Sequence, residues 1–375
     1  VLGLYLHIPF CSAICAYCNF NRGLFDEALK TRYVGAIRRE IARTGGALGR
    51  QAADTIYFGG GTPSLLDSAE IGALVDECRR AFRVAPGAEV TLEANPESVT
   101  LDRLRGWLAA GVNRLSFGVQ SFRDDELGRL GRLHDARRAE TAVALARAAG
   151  CENVSLDLMM WLPGQTVDDW LESVDRASAL APDHLSMYML ELYPNAPLRE
   201  EMARGGWSLA PDDDAVEMYV QALERLGACG LRQYEISNLS VPGRESRHNL
   251  KYWTLGSWAG FGCGAHSTVG RRRWKNVAGT EAYVEAMARD EPVAVDEHVL
   301  DDDGQLREAL FMGLRLAGGI DMDEVSRRFD DDVWARFGSD LAPALEAGLL
   351  VRTGARLRLT TRGMLLANEV MSVFV

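Results

Sequence analysis

Apolar residues along the chain follow two spacings in turn. Leu2, Leu4, Leu6 and Ile8 take every second position with Tyr5 and His7 between them, the period of a strand. Over residues 27–43, Ala28, Tyr33, Ile37 and Ile41 recur at helical spacing with charges between. The exchange repeats. Residues 55–58, 89–95, 114–120, 154–160 and 184–190 read as strands. Helices are expected over 71–81 with Ser68 as cap, 101–110 after Thr100, 137–149 before Gly150, and 167–179. Six strands, each but the last followed by a helix, predict an α/β fold on a parallel sheet. Several strands are apolar on both faces, as a doubly covered sheet requires.

The unusual residues Cys11, Gly60, Glu93, Gln120, Asp157 and Tyr188 lie in or just after these strands. In a βα barrel the C-terminal strand ends form the active face. Six units instead of eight suggest a partial (β/α)6 barrel, open on one side to admit something large. Residues 211–229 form a further amphipathic helix, and 234–276 are rich in glycine and aromatics with little periodicity. The tail changes character: helices over 306–316, 322–329 and 333–347, a hairpin about Gly354, and a last helix from Thr361 or Arg362 to the end. That succession predicts a small winged-helix-like domain. The expected division is 1–240 for the barrel and its extension, 241–300 for a connecting region, and 301–375 for the C-terminal domain.

Composition narrows the function. Of 375 residues, 47% are hydrophobic and 25% charged, which excludes a disordered chain. With 41 Lys and Arg against 53 Asp and Glu, the net charge of -12 argues against non-specific nucleic-acid binding. The tail's Asp321, Asp323, Glu324 and Asp330 would repel phosphate, so a DNA role for the winged shape is not expected. No apolar run reaches the ~18–20 residues that span a bilayer. The first residues read as strand and not as a signal peptide. Because the chain begins with Val1, a few residues are expected to precede it.

Seven cysteines, an odd number, do not suggest a disulfide scaffold. Cys78, Cys151 and Cys229 read as structural, and Cys263 sits in a glycine-rich turn. Cys11, Cys15 and Cys18 make C-x3-C-x2-C with no fourth cysteine near. A zinc site would need a fourth ligand, for which His7 is nearest. A [4Fe–4S] cluster on three thiolates would keep one iron open to bind and activate a ligand. Gly59-Gly60-Gly61-Thr62-Pro63 is not a P-loop, because no Gly-Lys-Ser/Thr follows.

The cysteine loop resembles that of the radical S-adenosylmethionine (SAM) superfamily. More narrowly, the chain is similar to the family of the oxygen-independent coproporphyrinogen III oxidase and its HemW-like heme-chaperone branch. The likeness spans nearly the whole chain. It rests on Gly59-Gly60-Gly61-Thr62-Pro63, Glu93-Ala94-Asn95-Pro96-Glu97, Phe117-Gly118-Val119-Gln120-Ser121, Leu162-Pro163-Gly164-Gln165-Thr166, Tyr234-Glu235-Ile236-Ser237-Asn238 and Gly262-Cys263-Gly264-Ala265-His266, in that order. The resemblance implies that Cys11, Cys15 and Cys18 hold the cluster and that SAM binds its open iron. Tyr17 would lie against the adenine, and Gly60 and Gly61 would give close backbone approach. Tyr5, Thr62, Glu93, Gln120, Arg132 and Asp157 would supply further SAM contacts. No residue is assigned as catalytic.

Two positions separate the branches. The oxidase has a further cysteine where this chain has Phe20, and His248-Asn249-Leu250-Lys251-Tyr252-Trp253 matches the HNxxYW motif of the chaperone branch. This implies heme as a third cofactor, with His248, Tyr252, Trp253 and His266 as heme-binding candidates; the alternative for His248 is an orienting role in the core. The implied partners are heme, a membrane-associated respiratory apoprotein and an electron donor such as flavodoxin or ferredoxin, with no nucleic acid. The implied location is the cytoplasm, with a peripheral membrane contact open through the basic patch Arg271, Arg272, Arg273 and Lys275. Three departures from the family pattern, at Trp161, at residues 191–198 and at Cys263, are candidates to line the substrate cavity. They keep open a radical SAM methyltransferase or porphyrinogen-modifying enzyme acting on a bulky planar substrate.

Overall fold

The computed structural model describes residues 1–194 and 196–375; Asn195, within the divergent segment 191–198, lies outside the described residues. The six expected strands form as β1 (Leu2–Ile8), β2 (Ala52–Gly60), β3 (Arg83–Ala94), β4 (Arg114–Gln120), β5 (Val154–Met160) and β6 (His184–Met189). They lie side by side in chain order, all parallel. Helices α1 (Glu27–Ala47), α2 (Ser68–Ala81), α3 (Leu101–Ala109), α4 (Ala136–Ala148) and α5 (Val167–Ala179) run between them. The cap of α2 is Asp67, not Ser68. The Asp67 carboxylate accepts from Glu70 N and the Glu70 carboxylate accepts from Asp67 N, a reciprocal pair that satisfies two helix-end donors.

Strand parity sorts the side chains. Leu4, Leu6, Phe58, Leu92, Leu115, Phe117 and Leu156 pack with Ile37, Leu74, Trp107 and Val143 of the helices. Each such side chain, fully buried, contributes roughly 1.5–3 kcal/mol, so this outer layer carries the hydrophobic stability. The alternate positions face the lumen and are polar. Thr55, Glu89, Thr91, Arg114, Ser116, Ser155, His184 and Ser186 are all buried there.

The sheet continues past six strands. β7 (Arg232–Glu235), β8 (Asn238–Ser240), β9 (Ser257–Phe261), β10 (His266–Val269), β11 (Arg272–Asn276) and β12 (Ala294–Val299) bring it to twelve, in the order β12-β11-β10-β9-β1-β2-β3-β4-β5-β6-β8-β7. β9 is a seventh parallel strand, paired with β1 from Leu2↔Ser257 to Leu6↔Phe261. The pairs beyond β6 and β9 are antiparallel. The two end strands do not pair with each other, so the barrel stays open.

Helix α6 (Asp212–Ala228) packs on α5, and the short α7 (Arg247–Trp253) closes the lower end of the lumen. The tail holds α8 (Asp302–Gly313), β13 (Ile320–Asp321), α9 (Met322–Phe329), α10 (Val333–Glu346), β14 (Leu350–Thr353) and β15 (Arg356–Leu359), with sheet order β13-β15-β14. Helix, strand, two helices and a hairpin are the order of a winged helix. The expected last helix is broken at Leu366 into Thr361–Leu365 and Ala367–Met371. No helix among the described residues is long and apolar enough to cross a membrane.

Candidate cluster and cofactor site

The cysteine loop leaves the upper end of β1. Phe10–Cys11 pairs with Gly23–Leu24, and Gly23 N donates to Pro9 O and Phe25 N to Cys11 O, which closes the loop at its base. Ala16 fastens its middle. Its N–H donates to Leu130 O at 3.2 Å, its carbonyl accepts from Leu198 N at 3.0 Å, and its side chain packs with Leu130, Met159, Leu162, Leu190 and Leu198. Held in this way, Cys11, Cys15 and Cys18 all line one cavity of about 380 Å³.

The turn after β2 forms another wall. Gly61 N donates to Ile8 O (2.8 Å) and Thr62 N to Phe10 O (2.7 Å). A Cβ on Gly60, whose φ is +115°, would stand 2.5 Å from the His7 ring, and one on Gly61 would stand 2.7 Å from Phe10 O. Both glycines line the cavity, yet what excludes a side chain is the packing of β2 against β1 and the loop.

Tyr17, Thr62, Glu93, Gln120, Arg132 and Asp157 face the same cavity. Tyr5 does not: it stacks on Tyr57 one layer down, with ring centroids 6.1 Å apart and its hydroxyl 3.1 Å from His7 Nδ1. Glu93 accepts from Tyr57 OH (2.8 Å) and Gly60 N (3.2 Å). Burial pushes its pKa up to about 7. Burial also raises Asp157, which accepts from Ser116 Oγ at 3.3 Å. Two desolvated carboxyls at the wall of an open cavity favour a cationic ligand, which would stabilise their charged form. Arg132 donates to Asn95 Oδ1 (2.8 Å) and Gly118 O (2.7 Å), lies 3.4 Å from Cys15 Sγ, and has a buried Nε without a partner among the described residues. Gln120 is held at φ +69°, a left-handed backbone that a non-glycine residue adopts at a cost of about 1–3 kcal/mol.

The donor set fits the cluster the sequence implies. Three thiols line one cavity, and soft sulfur ligands of that kind suit iron–sulfur clusters. Burial raises the thiols of Cys11 and Cys18, so metal must displace their protons. His7 does not complete a zinc site: its Nε2 bonds Asn21 O at 2.7 Å and its Nδ1 meets Tyr5. No three His, Cys, Asp or Glu side chains among the described residues are gathered around one metal position. One thiolate per iron on separate parts of a cavity wall suits a cubane and leaves its fourth iron for SAM.

Sequence reading missed Tyr57, which bonds Glu93, and Asn95, which holds Arg132. It also missed Met189 in the cavity wall and the buried Arg114 beneath. Their inward parity on the strands was the available signal for Tyr57 and Arg114. Of the departures, residues 191 and 193 line the cavity, but Trp161 and Cys263 do not. Trp161 takes φ +62°, which explains why glycine is usual there, and is anchored by its Nε1–H to Ala210 O at 2.8 Å. Cys263 is buried against Tyr33 and Asn21, and Cys229 is exposed.

Three of the four heme candidates, His248, Tyr252 and Trp253, lie on α7, and His266 lies on β10. His248 is fully buried, with Nδ1 at 2.8 Å from Thr55 Oγ1 and Nε2 at 3.0 Å from Tyr252 OH. Burial lowers its pKa to about 3, so the ring is neutral. Exposed His266 lies on β10 opposite Lys275, its carbonyl accepting from Nε1 of Trp258 (3.0 Å), whose ring meets Tyr252 of α7 edge-on. The four cations of the basic patch are each paired: Arg271 with Asp302, Arg272 with both oxygens of Glu297 (2.7 and 2.8 Å), Arg273 with Glu308, and Lys275 with Asp296. Their charge is largely cancelled on the spot, which removes the electrostatic ground for a membrane contact there.

An open parallel barrel with three thiols on the loop after its first strand, facing paired carboxyls at later strand ends, defines a radical SAM protein. The family model described as the radical SAM superfamily matches residues 5–177, and that of the HemN C-terminal domain matches residues 300–366. The chain is 36% identical over 372 residues to the heme chaperone HemW of Bacillus subtilis, covering 99% of this chain and 98% of that one. It is 39% identical over 378 residues to the heme chaperone HemW of Mycobacterium tuberculosis, covering 98% and 93%. This chain belongs to the HemW family. Its fold is shared with the solved coproporphyrinogen III oxidase (HemN) of Escherichia coli, at TM-score 0.88 and 24% identity over 100% of this chain and 89% of that one.

Proposed function

We propose that this protein is a heme carrier that holds a [4Fe–4S] cluster and SAM and passes heme to a respiratory apoprotein. The observation that carries the reading is near-full-length similarity to proteins named as heme chaperones, in a chain that keeps the three-thiol cavity and has Phe20 where the oxidase has cysteine. Cys11, Cys15 and Cys18 hold the cluster, which when reduced supplies one electron to the SAM sulfonium. Glu93 and Asp157 hold the cationic groups of SAM, and Arg132 faces its carboxylate while steadying the Cys15 thiolate. Gln120 and Thr62 fix its orientation in the turn. Phe20, Tyr188, Met189 and Tyr193, all exposed at the mouth, keep water away from the upper part of the cavity. An open iron without a thiolate is oxygen-labile, which places the protein in a reducing compartment, with flavodoxin or ferredoxin as electron donor and a client at the inner face of the membrane.

The test is anaerobic reconstitution, hemin titration and heme delivery to an apo-oxidase or apo-reductase on vesicles. Heme near one per chain and recovery of client activity are expected. Absence of both binding and delivery with an intact cluster overturns the reading. A methylated product formed from SAM and a planar substrate would replace it with the methyltransferase alternative, and carbon dioxide release from coproporphyrinogen III with the oxidase.

A further inference from the structure

A second cavity lies between the barrel and the C-terminal domain. It measures about 510 Å³, a usual size for a small-molecule site. Tyr188, Met189 and Glu191 line both cavities, so the two share a wall. The other walls combine three kinds of group. Met160, Met187 and Met364 present thioethers, which adapt to a flat apolar surface. Tyr252 and Trp253 of α7 present rings 6.2 Å apart and inclined at 73°. The third is the pair Glu235 and Arg315. Glu235 is fully buried and already accepts from Ser237 N (3.0 Å) and from Asn238 Nδ2. It meets Arg315 Nη2 only at 3.4 Å. The Arg315 guanidinium lies 4.3 Å over the Trp253 ring, and its buried Nε has no partner among the described residues. Arg315 therefore keeps a spare donor in a wall where the thioethers and rings stand beside Ser237, Asn238, Asn249 and Asn368.

We propose that the heme sits in this second cavity, with Arg315 holding a propionate and the porphyrin plane against Trp253 and the methionines. The assignment rests on the carrier reading and adds the residues that grip the cargo. A guanidinium set beside aromatic rings and thioethers selects a flat ligand with a carboxylate arm. His248 is a positioning residue in this arrangement. Thr55 and Tyr252 take its two ring nitrogens, and β1 presses on it so closely that a Cβ on Gly3 would stand 2.9 Å from the ring. It fixes Tyr252 at the cavity wall and leaves the iron to other ligands.

The experiment titrates the reconstituted full chain with hemin and with hemin dimethyl ester, whose propionates carry no charge. Wild type is expected to prefer the free acid by roughly 10- to 100-fold, the worth of a charged hydrogen bond. Arg315→Met should lose that preference and keep the affinity for the ester, and Arg315→Lys should retain part of it. His248→Gln, which can still bond Tyr252, should leave the resonance Raman and electron paramagnetic resonance signatures of the iron unchanged. Two results overturn the assignment: an Arg315→Met protein, folded and with its cluster, that discriminates as wild type does, or an iron signature showing a lost imidazole in His248→Gln. Wild type that binds neither form of heme refutes the carrier reading itself, and the assignment with it.

Discussion

At the upper end of the barrel lumen polar groups are left short of partners. Arg132 Nε is buried and unbonded among the described residues, Gln120 is held at φ +69°, and burial raises both Glu93 and Asp157. Around α7 at the lower end the polar groups are satisfied, although Arg114 Nε and Thr91 Oγ1 in the lumen are buried without a partner among the described residues. Glu89 accepts from Arg247 N and His248 N, both at 3.1 Å, Ser246 caps Asn249 N at 3.3 Å, and both nitrogens of His248 are bonded. Helix α7 is thereby a plug pinned by β2 and β3. The contrast teaches that a histidine in a family motif can belong to the floor of a fold, while plainer carboxyls at the strand ends face the ligand. It also agrees with the division of a βα barrel into a functional upper face and a stabilising lower one.

Four measurements would break or sharpen this contrast. The largest effect is expected from Cys15→Ala at the upper end, which should lose nearly all iron and sulfide on anaerobic reconstitution. A full cluster in that variant would remove the thiols from the ligand set. Next, His248→Ala at the lower end should cost about 3 kcal/mol in denaturant unfolding, because it empties a buried site and strands Thr55 and Tyr252. Asp157→Asn should cost little stability yet weaken SAM roughly 10- to 100-fold by calorimetry. If the two variants exchanged these effects, the contrast would be reversed.

A third measurement uses pH. Burial holds Glu93 at about 7 in the folded chain against an ordinary 4.5. An acid raised on folding stabilises at low pH, and that contribution is lost as pH rises from about 4.5 through 7. Glu93→Gln should therefore gain in thermal midpoint on wild type between pH 5 and 8. SAM, which needs the carboxylate charged, should bind wild type about tenfold more tightly at pH 8 than at pH 6 and the Gln variant equally at both. The smallest effect is expected from Trp161→Gly. It relieves a left-handed backbone worth about 1–2 kcal/mol but loses the indole bond to Ala210, so unfolding should shift by no more than about 1 kcal/mol with iron content unchanged.

The first six strands and five helices were legible because their alternation and helical spacing run long enough to be counted. β7 to β11 were not, since they are three to five residues long and rich in glycine and aromatics. Nor could spacing show that β9 returns to lie parallel beside β1, which is a matter of chain path. The upper cavity was largely legible through resemblance: three cysteines and eight further named residues share it. Tyr5 was misplaced because resemblance names a position but not the layer of the lumen it occupies. His248 and the basic run show the other gap. A motif states which residue stands where, while Thr55, Glu297 and Asp302, partners that occupy those side chains, come from distant segments.

The pairing of the cations on β11 has a consequence at the margin of the sheet. β12 is an edge strand exposed along its whole length, with unpaired backbone groups ready to accept a strand from another chain. Asp296 and Glu297 project from it, joined to Lys275 and Arg272, and the register slips between Arg273 and Lys275, which kinks the ladder. Charge and a bulge on an edge strand block lateral strand addition. Replacing Asp296 and Glu297 by Thr would strip the charge from this edge and leave only the bulge, and the protein would tend more to assemble edge to edge into aggregates.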